Sequence, residues 1–119
     1  TGNFSTPNVA TALNFNASTG MLTSTAFTES SSIALKENFN PITNGLDAIL
    51  SLQGWIYDRK DGSIKNEAGL IAEDVYNVIP NVVSLDENGK PAGINYSRLS
   101  AYLIEAVKSL KQEIASLKG

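Results

Sequence analysis

The chain has 119 residues, 42% of them hydrophobic, with 9 basic against 12 acidic side chains and neither cysteine nor histidine. That length suits one domain able to bury roughly two thirds of its unfolded surface. The missing residue types exclude disulfides, thiolate or imidazole metal sites, Cys nucleophiles and any Ser-His-Asp triad, so proton transfer falls to Lys, Asp, Glu or Tyr. The basic residues are scattered from Lys36 onward, most of them in the second half, rather than gathered into a stripe, which argues against nucleic acid or an anionic membrane as partner. No apolar run nears the ~20 residues of a membrane-spanning helix, and the opening TGNFSTPN lacks the basic and apolar parts of a signal peptide, so the chain reads as soluble. No metal or cofactor is expected.

From Thr1 to about Ser32 the sequence is rich in Thr, Ser, Asn, Gly and Ala, and its only charge is Glu29. It alternates, with Val9, Thr11, Leu13 and Phe15 on one side and Met21, Thr23, Thr25 and Phe27 repeating the pattern after NASTG. Two short strands are predicted there, too thin to stand alone and read as the end of a longer β-rich structure shared between chains. A disordered tail is the alternative.

After Leu35 the density becomes globular. Ile42, Leu46, Ile49 and Leu50 predict a short amphipathic helix, with Pro41 in its first turn and Gly54 at its stop. GWIYDRKDGSIKNEAGLI reads as a hairpin turning at Asp61-Gly62, a better reading than a cation loop, and Trp55 and Tyr57 as strand packing. IAEDVYNVIP is a second short helix ended by Pro80, and its adjacent Glu73 and Asp74 diverge too far to work as a pair. NVVSLDENGKPAGINY is a second hairpin, turning at Asn88-Gly89. Asn95 is placed to cap a helix from about Tyr96 to Lys118, roughly 34 Å long.

On that last helix Leu103, Val107, Leu110, Ile114 and Leu117 step by four and three, placing Val107 and Ile114 at a and the leucines at d of a heptad seam. Glu113 at g and Lys118 at the next e are suited to pairing between helices. A core-facing helix in a monomer is the alternative, but the stripe runs past the last hairpin, beyond any element of its own chain, so self-association is expected. The seam alone does not specify a trimer, because Val or Ile at a with Leu at d favours dimers in isolated peptides.

ESSSIALKENFNPI, Glu29 to Ile42, sets a serine run ahead of Lys36. A desolvated lysine gives up its proton more easily, and the neutral amine can deprotonate a hydroxyl, so a Ser-Lys pair is a hydrolytic device that needs no histidine. Ile33, Leu35 and Phe39 are candidates for its apolar surroundings, whereas Glu29 and Glu37 nearby would hold the ammonium charged. Residues five apart diverge on a helix and lie on opposite faces of a strand, so Ser31 and Lys36 can meet only across an irregular turn or between chains. On residue types alone, Ser30, Ser31 or Ser32 is a cap and Lys36 is surface.

The order of motifs from Ser31 to Lys118 resembles the intramolecular chaperone of endosialidase family, the self-cleaving C-terminal domains of phage tail spikes and fibres. SSIALKENF, Ser31 to Phe39, is similar to that family's Ser-Asp, variable residues, Leu-Lys, Asn and apolar opening. PITNGLDAILSLQGWIYD, GLIAEDVYNVIPNVV and INYSRLSAYLIEAVKSLKQEI follow in the family's order. The resemblance implies an α+β domain of short helices and antiparallel hairpins ending in a long helix, packed as a homotrimer with a helical coiled coil. Residues 1–30 would be the end of a β-rich stalk and 31–119 the chaperone and autoprotease. The stalk would be both folding client and cleavage substrate. Carried over by position, Ser31 is the nucleophile, Lys36 the base, Ser30-Ser31 the scissile bond, and Ser32 and Asn38 support the pair, with Ser32 standing where the family usually has Asp. Assembly in the host cytoplasm, retention of the stalk in the virion tail and release of the chaperone would follow. A permanent, non-catalytic trimerisation module is the main alternative, and the related self-cleaving domain of membrane-bound transcription regulators a further one.

Overall fold

In the computed structural model, which describes residues 13–118, the chain separates into two units, Thr1–Phe39 and Asn40–Gly119. The first unit carries the predicted strand pair as an antiparallel hairpin, β1 (Leu13–Asn16) and β2 (Met21–Ser24), in register from Leu13 opposite Ser24 to Asn16 opposite Met21. Asn16 organises its turn. Its side-chain oxygen accepts from the Ser18 N–H at 3.0 Å, and its carbonyl accepts from the Gly20 N–H at 2.8 Å, the local competition that makes Asn a turn residue. Gly20 takes a φ of +76° to close it. Val9 and Thr11 lie outside the described residues, and Thr25 and Phe27 fall beyond β2. No described residue of this unit is buried.

In the second unit the first helix, α1, spans Gly45–Leu50. It is shorter than its apolar spacing suggests. Pro41 stands ahead of it in irregular chain, and the helix has already ended, with Ser51 as its cap, before Gly54. Gly45 explains part of the late start: a Cβ there would lie 3.0 Å from the Glu105 Cβ and 3.1 Å from the Ala106 backbone nitrogen, so the chain passes tightly over another backbone before it coils.

The predicted hairpins both form. β3 (Trp55–Tyr57) pairs antiparallel with β4 (Glu67–Gly69), and Gly62 in the connecting loop has a φ of +81°. Trp55 is nevertheless 47% exposed, so its ring packs only in part. β5 (Val83–Leu85) pairs with β6 (Pro91–Ile94) across a bulge at Ser84 and Leu85. There Asp86 gathers the turn, accepting from the Asn88 N–H at 2.8 Å and the Lys90 N–H at 3.0 Å. Between the hairpins lie α2 (Ala72–Val78) and a 3₁₀ turn over Pro80–Val82 that begins on the predicted breaker.

The terminal helix α3 spans Leu99–Lys118, about 30 Å, and is entered through a 3₁₀ turn at Tyr96–Arg98. The cap expected from Asn95 is not made by its side chain. Its carbonyl accepts from the Arg98 N–H at 3.0 Å, while its own N–H donates to the Val82 carbonyl at 2.7 Å, so the residue extends the β5–β6 pairing and has no extended cap geometry.

The core is small and apolar: Ala48, Val75, Ile79, Val82 and Leu99 are buried, with Ile49, Leu70, Val78, Ile94 and Tyr102 against them. It joins α1, α2 and the head of α3, and two tyrosines tie its edges. The Tyr102 hydroxyl donates to Asn81 Oδ1 at 3.1 Å, and the Tyr96 hydroxyl accepts from the Leu70 N–H at 2.8 Å. The fold class is α+β, with three two-stranded hairpins among the described residues and a long C-terminal helix.

Candidate functional site

Between Ser31 and Lys36 the chain makes one 3₁₀ turn, Ile33–Leu35, flanked by extended residues: Ser32 at φ −64°, ψ 144° and Lys36 at φ −128°, ψ 152°. A 3₁₀ turn holds three residues per revolution, so it reverses the chain within the interval and returns Lys36 toward the residue that precedes it. The Leu35 N–H donates to the Ser32 carbonyl at 3.0 Å and the Lys36 N–H to the Ile33 carbonyl at 3.1 Å. The result is a side-chain contact: Lys36 Nζ donates to Ser31 Oγ at 2.6 Å. The irregular turn that such a meeting requires is present within one chain.

The three serines separate in role. Ser32 Oγ accepts from the Ala34 N–H at 3.2 Å and caps the turn, Ser31 Oγ meets the lysine, and Ser30 stands one residue upstream in irregular chain. A capping bond and a lysine contact are thus both present, on adjacent serines. Asn38 adopts φ +59°, a left-handed conformation that Asn tolerates better than most side chains and that turns the chain after the lysine. Around the pair Ile33, Leu35 and Phe39 are 77%, 71% and 65% exposed, and Ser31 and Lys36 are exposed as well.

Residues 31–84 match the family described as Chaperone of endosialidase, and the match starts at the serine that the lysine contacts. This segment resembles the chaperone of endosialidase family, and it makes up less than half of the chain. Among similar proteins, the long tail fiber protein Gp37 of Enterobacteria phage K3 is 37% identical over 96 residues, covering 75% of this chain and 8% of the fibre protein. Gp37 of Enterobacteria phage T2 is 37% identical over the same length and is covered over 7% of its own, and Gp37 of Enterobacteria phage M1 is 36% identical over 92 residues, 71% of this chain and 37% of the fibre protein. The chain therefore spans only a minor part of these relatives.

A second feature of the chain lies on α3. The helix uses Leu99, Tyr102 and Ala106, spaced by three and four, against the core. The predicted seam points elsewhere: Leu103, Val107, Leu110, Ile114 and Leu117 are 48%, 64%, 48%, 49% and 87% exposed, and Ile104 beside them 58%. Sequence periodicity found this stripe but not Ile104, which falls outside a strict a and d pattern.

Charge is concentrated on the β3–β4 hairpin. Arg59 Nε donates to Glu67 Oε1 at 2.6 Å and Nη2 to Oε2 at 3.1 Å, a two-point grip, and the guanidinium lies 5.9 Å from the centre of the Tyr57 ring. The Arg59 hydrogen bonds hold the Glu67 carboxyl below its usual range, and burial, followed by the Glu67 charge, pushes the Tyr57 phenol up. Sequence reasoning did not single out this pair. Cross-hairpin Arg and Glu pair only once the register is fixed, here with Tyr57 opposite Glu67.

Proposed function

We propose that this domain trimerises to drive the folding of a phage tail fibre or spike and then releases itself by cutting the Ser30-Ser31 bond. The contact of Lys36 Nζ with Ser31 Oγ carries this reading. In the reaction, neutral Lys36 takes the proton of the Ser31 hydroxyl, and the oxygen attacks the carbonyl carbon of Ser30 immediately before it. The C–N bond breaks, the Ser31 amine leaves with a proton returned by Lys36, and Ser30 is held as an ester on Ser31 Oγ. Water then hydrolyses the ester, leaving a carboxylate on Ser30 and a free amine and hydroxyl on Ser31. Residues 1–30 are the stalk end that stays in the virion tail, and 31–119 the chaperone, a division supported by the family match that begins at Ser31.

Trimerisation is supported by the apolar stripe that α3 leaves uncovered. Addition of Ile104 to the a and d residues widens the stripe beyond a two-residue seam, toward the broader apolar face of a bundle helix. Glu113 and Lys118 flank it for pairing between copies. A stalk of long-range interchain strands searches slowly for register, and a compact domain that associates first raises the local concentration of the stalk segments. Cleavage then removes the route back, so the stalk's persistence becomes kinetic.

Ser31→Ala and Lys36→Ala are each expected to abolish loss of residues 1–30, read by intact mass, while sedimentation still reports three chains. Continued cutting at the same bond in either variant would remove the pair from the mechanism. One observation favours a second reading, a permanent trimerisation module: both side chains of the pair are exposed in the single chain, whereas a lysine base needs desolvation. A trimer that stays whole through prolonged incubation would select that reading.

A further inference from the structure

We propose that Ser32 is a positioning residue for this cleavage, holding Ser31 against Lys36 by capping the turn between them. The proposal rests on the assignment of Ser31 and Lys36 above and concerns what keeps them together. Ser32 and Lys36 sit on extended backbone at the two ends of the 3₁₀ turn Ile33–Leu35, which lies between the partners in sequence. An isolated turn of that length has no cooperative stability of its own. None of its residues is buried, so packing within its own chain does not hold it either. Two backbone hydrogen bonds span it, and one from a side chain caps it, the Ser32 Oγ acceptance from the Ala34 N–H at 3.2 Å. If that cap is lost the turn opens more often, and each opening carries the Lys36 amine away from the Ser31 hydroxyl without altering either group.

The cap can be made by other residues. Thr, Asn and Asp accept from the same backbone N–H. Asp, however, also sets a negative charge beside the lysine and favours its protonated form. Ser32 keeps the cap without that charge. Capping and charge are therefore separable by substitution.

The experiment follows the cleavage rate of the full chain over about pH 6 to 10, with the trimer verified by sedimentation. Ser32→Ala is expected to slow cleavage roughly 3- to 10-fold at every pH, with the inflection of the rate profile unmoved. Ser32→Thr and Ser32→Asn are expected to restore the rate. Ser32→Asp is expected to restore the plateau but move the inflection to higher pH. Ser32→Ala cutting at the unaltered rate, or Ser32→Thr and Ser32→Asn as slow as Ser32→Ala, would overturn the positioning role. Ser31→Ala and Lys36→Ala run in parallel. If they stop cleavage while Ser32→Ala does not slow it, only the positioning role falls; if either still cuts, the pair itself is wrong.

Discussion

The described residues before Asn40 and those after it use apolar side chains in opposite ways. In the second unit Val75, Ile79 and Val82 are 1%, 1% and 2% exposed, enclosed by residues of the same chain. In the first, Phe15, Leu22, Phe27, Ile33 and Leu35 are all more than half exposed, and order rests on local hydrogen bonds around Asn16 and Ser32. The second unit has an enclosed core, and the described residues of the first have only local order. α3 combines both habits, with one face in the core and its apolar stripe uncovered. The difference teaches that apolar side chains are enclosed in one unit and left open to solvent in the other, and the chemistry proposed for Ser31 and Lys36 is set in the less enclosed unit.

The largest effect that tests this contrast is on association. A carboxylate in the stripe, Ile114→Asp, would set like charges facing one another in every copy. If the stripe mediates the proposed association, loss of the oligomer in sedimentation is expected, while circular dichroism of the separated chain remains that of the parent, because Ile114 is 49% exposed and lies outside the buried core. A monomeric chain that also unfolds would show the stripe to be part of the fold itself. The next effect is on stability. Ile79→Ala removes a fully enclosed side chain and is expected to cost about 2–5 kcal/mol in urea unfolding of the separated chain. Ile33→Ala, the same truncation on a residue 77% exposed, is expected to stay within about 0.5 kcal/mol.

Gly45→Ala falls between these two. Its new Cβ would meet the Glu105 Cβ and the Ala106 and Tyr102 backbone atoms at 3.0–3.1 Å, and backbone within a helix yields little. A loss of about 1–3 kcal/mol is expected, the usual range for overpacking, although Ala is the better helix former. A stabilised variant would mean that α1 can slide along α3 without penalty.

Legibility in the sequence follows the range of the interactions. Turns that one residue dictates were readable: Gly62 and Gly89 take positive φ where Asp-Gly and Asn-Gly placed them, and the strand pair around NASTG forms. Elements set by distant contacts were not. α1 starts late where Gly45 passes over α3, and Asn95 gives its N–H to Val82 rather than its side chain to the helix, a choice fixed by the β5–β6 pairing. At the candidate site, residue types left Ser30, Ser31 and Ser32 equivalent. What separates Ser31 and Ser32 is a single 3₁₀ turn, which has no hydrophobic period to betray it. The α3 stripe was legible as a pattern because heptad spacing is a property of the sequence alone.

The smallest effect concerns the Arg59–Glu67 pair, which lies within the enclosed unit yet near its surface, with side chains 53% and 24% exposed. Its contribution has a definite sign. Because the Arg59 hydrogen bonds lower the folded-state pKa of Glu67, the pair adds stability above the ordinary glutamate value of about 4.3. That stability is lost as pH falls through the lowered value, where the folded state too becomes protonated. Glu67→Gln is therefore expected to lower the urea midpoint slightly near neutral pH and to flatten its decline in the acid limb, so that the two proteins converge at low pH. Added salt should shrink the neutral-pH difference, since both groups face solvent in part. A gap that persists in acid would assign the cost of the substitution to packing against Tyr57 instead of charge. That result would bring this hairpin closer to the enclosed core than to the exposed surfaces of the first unit.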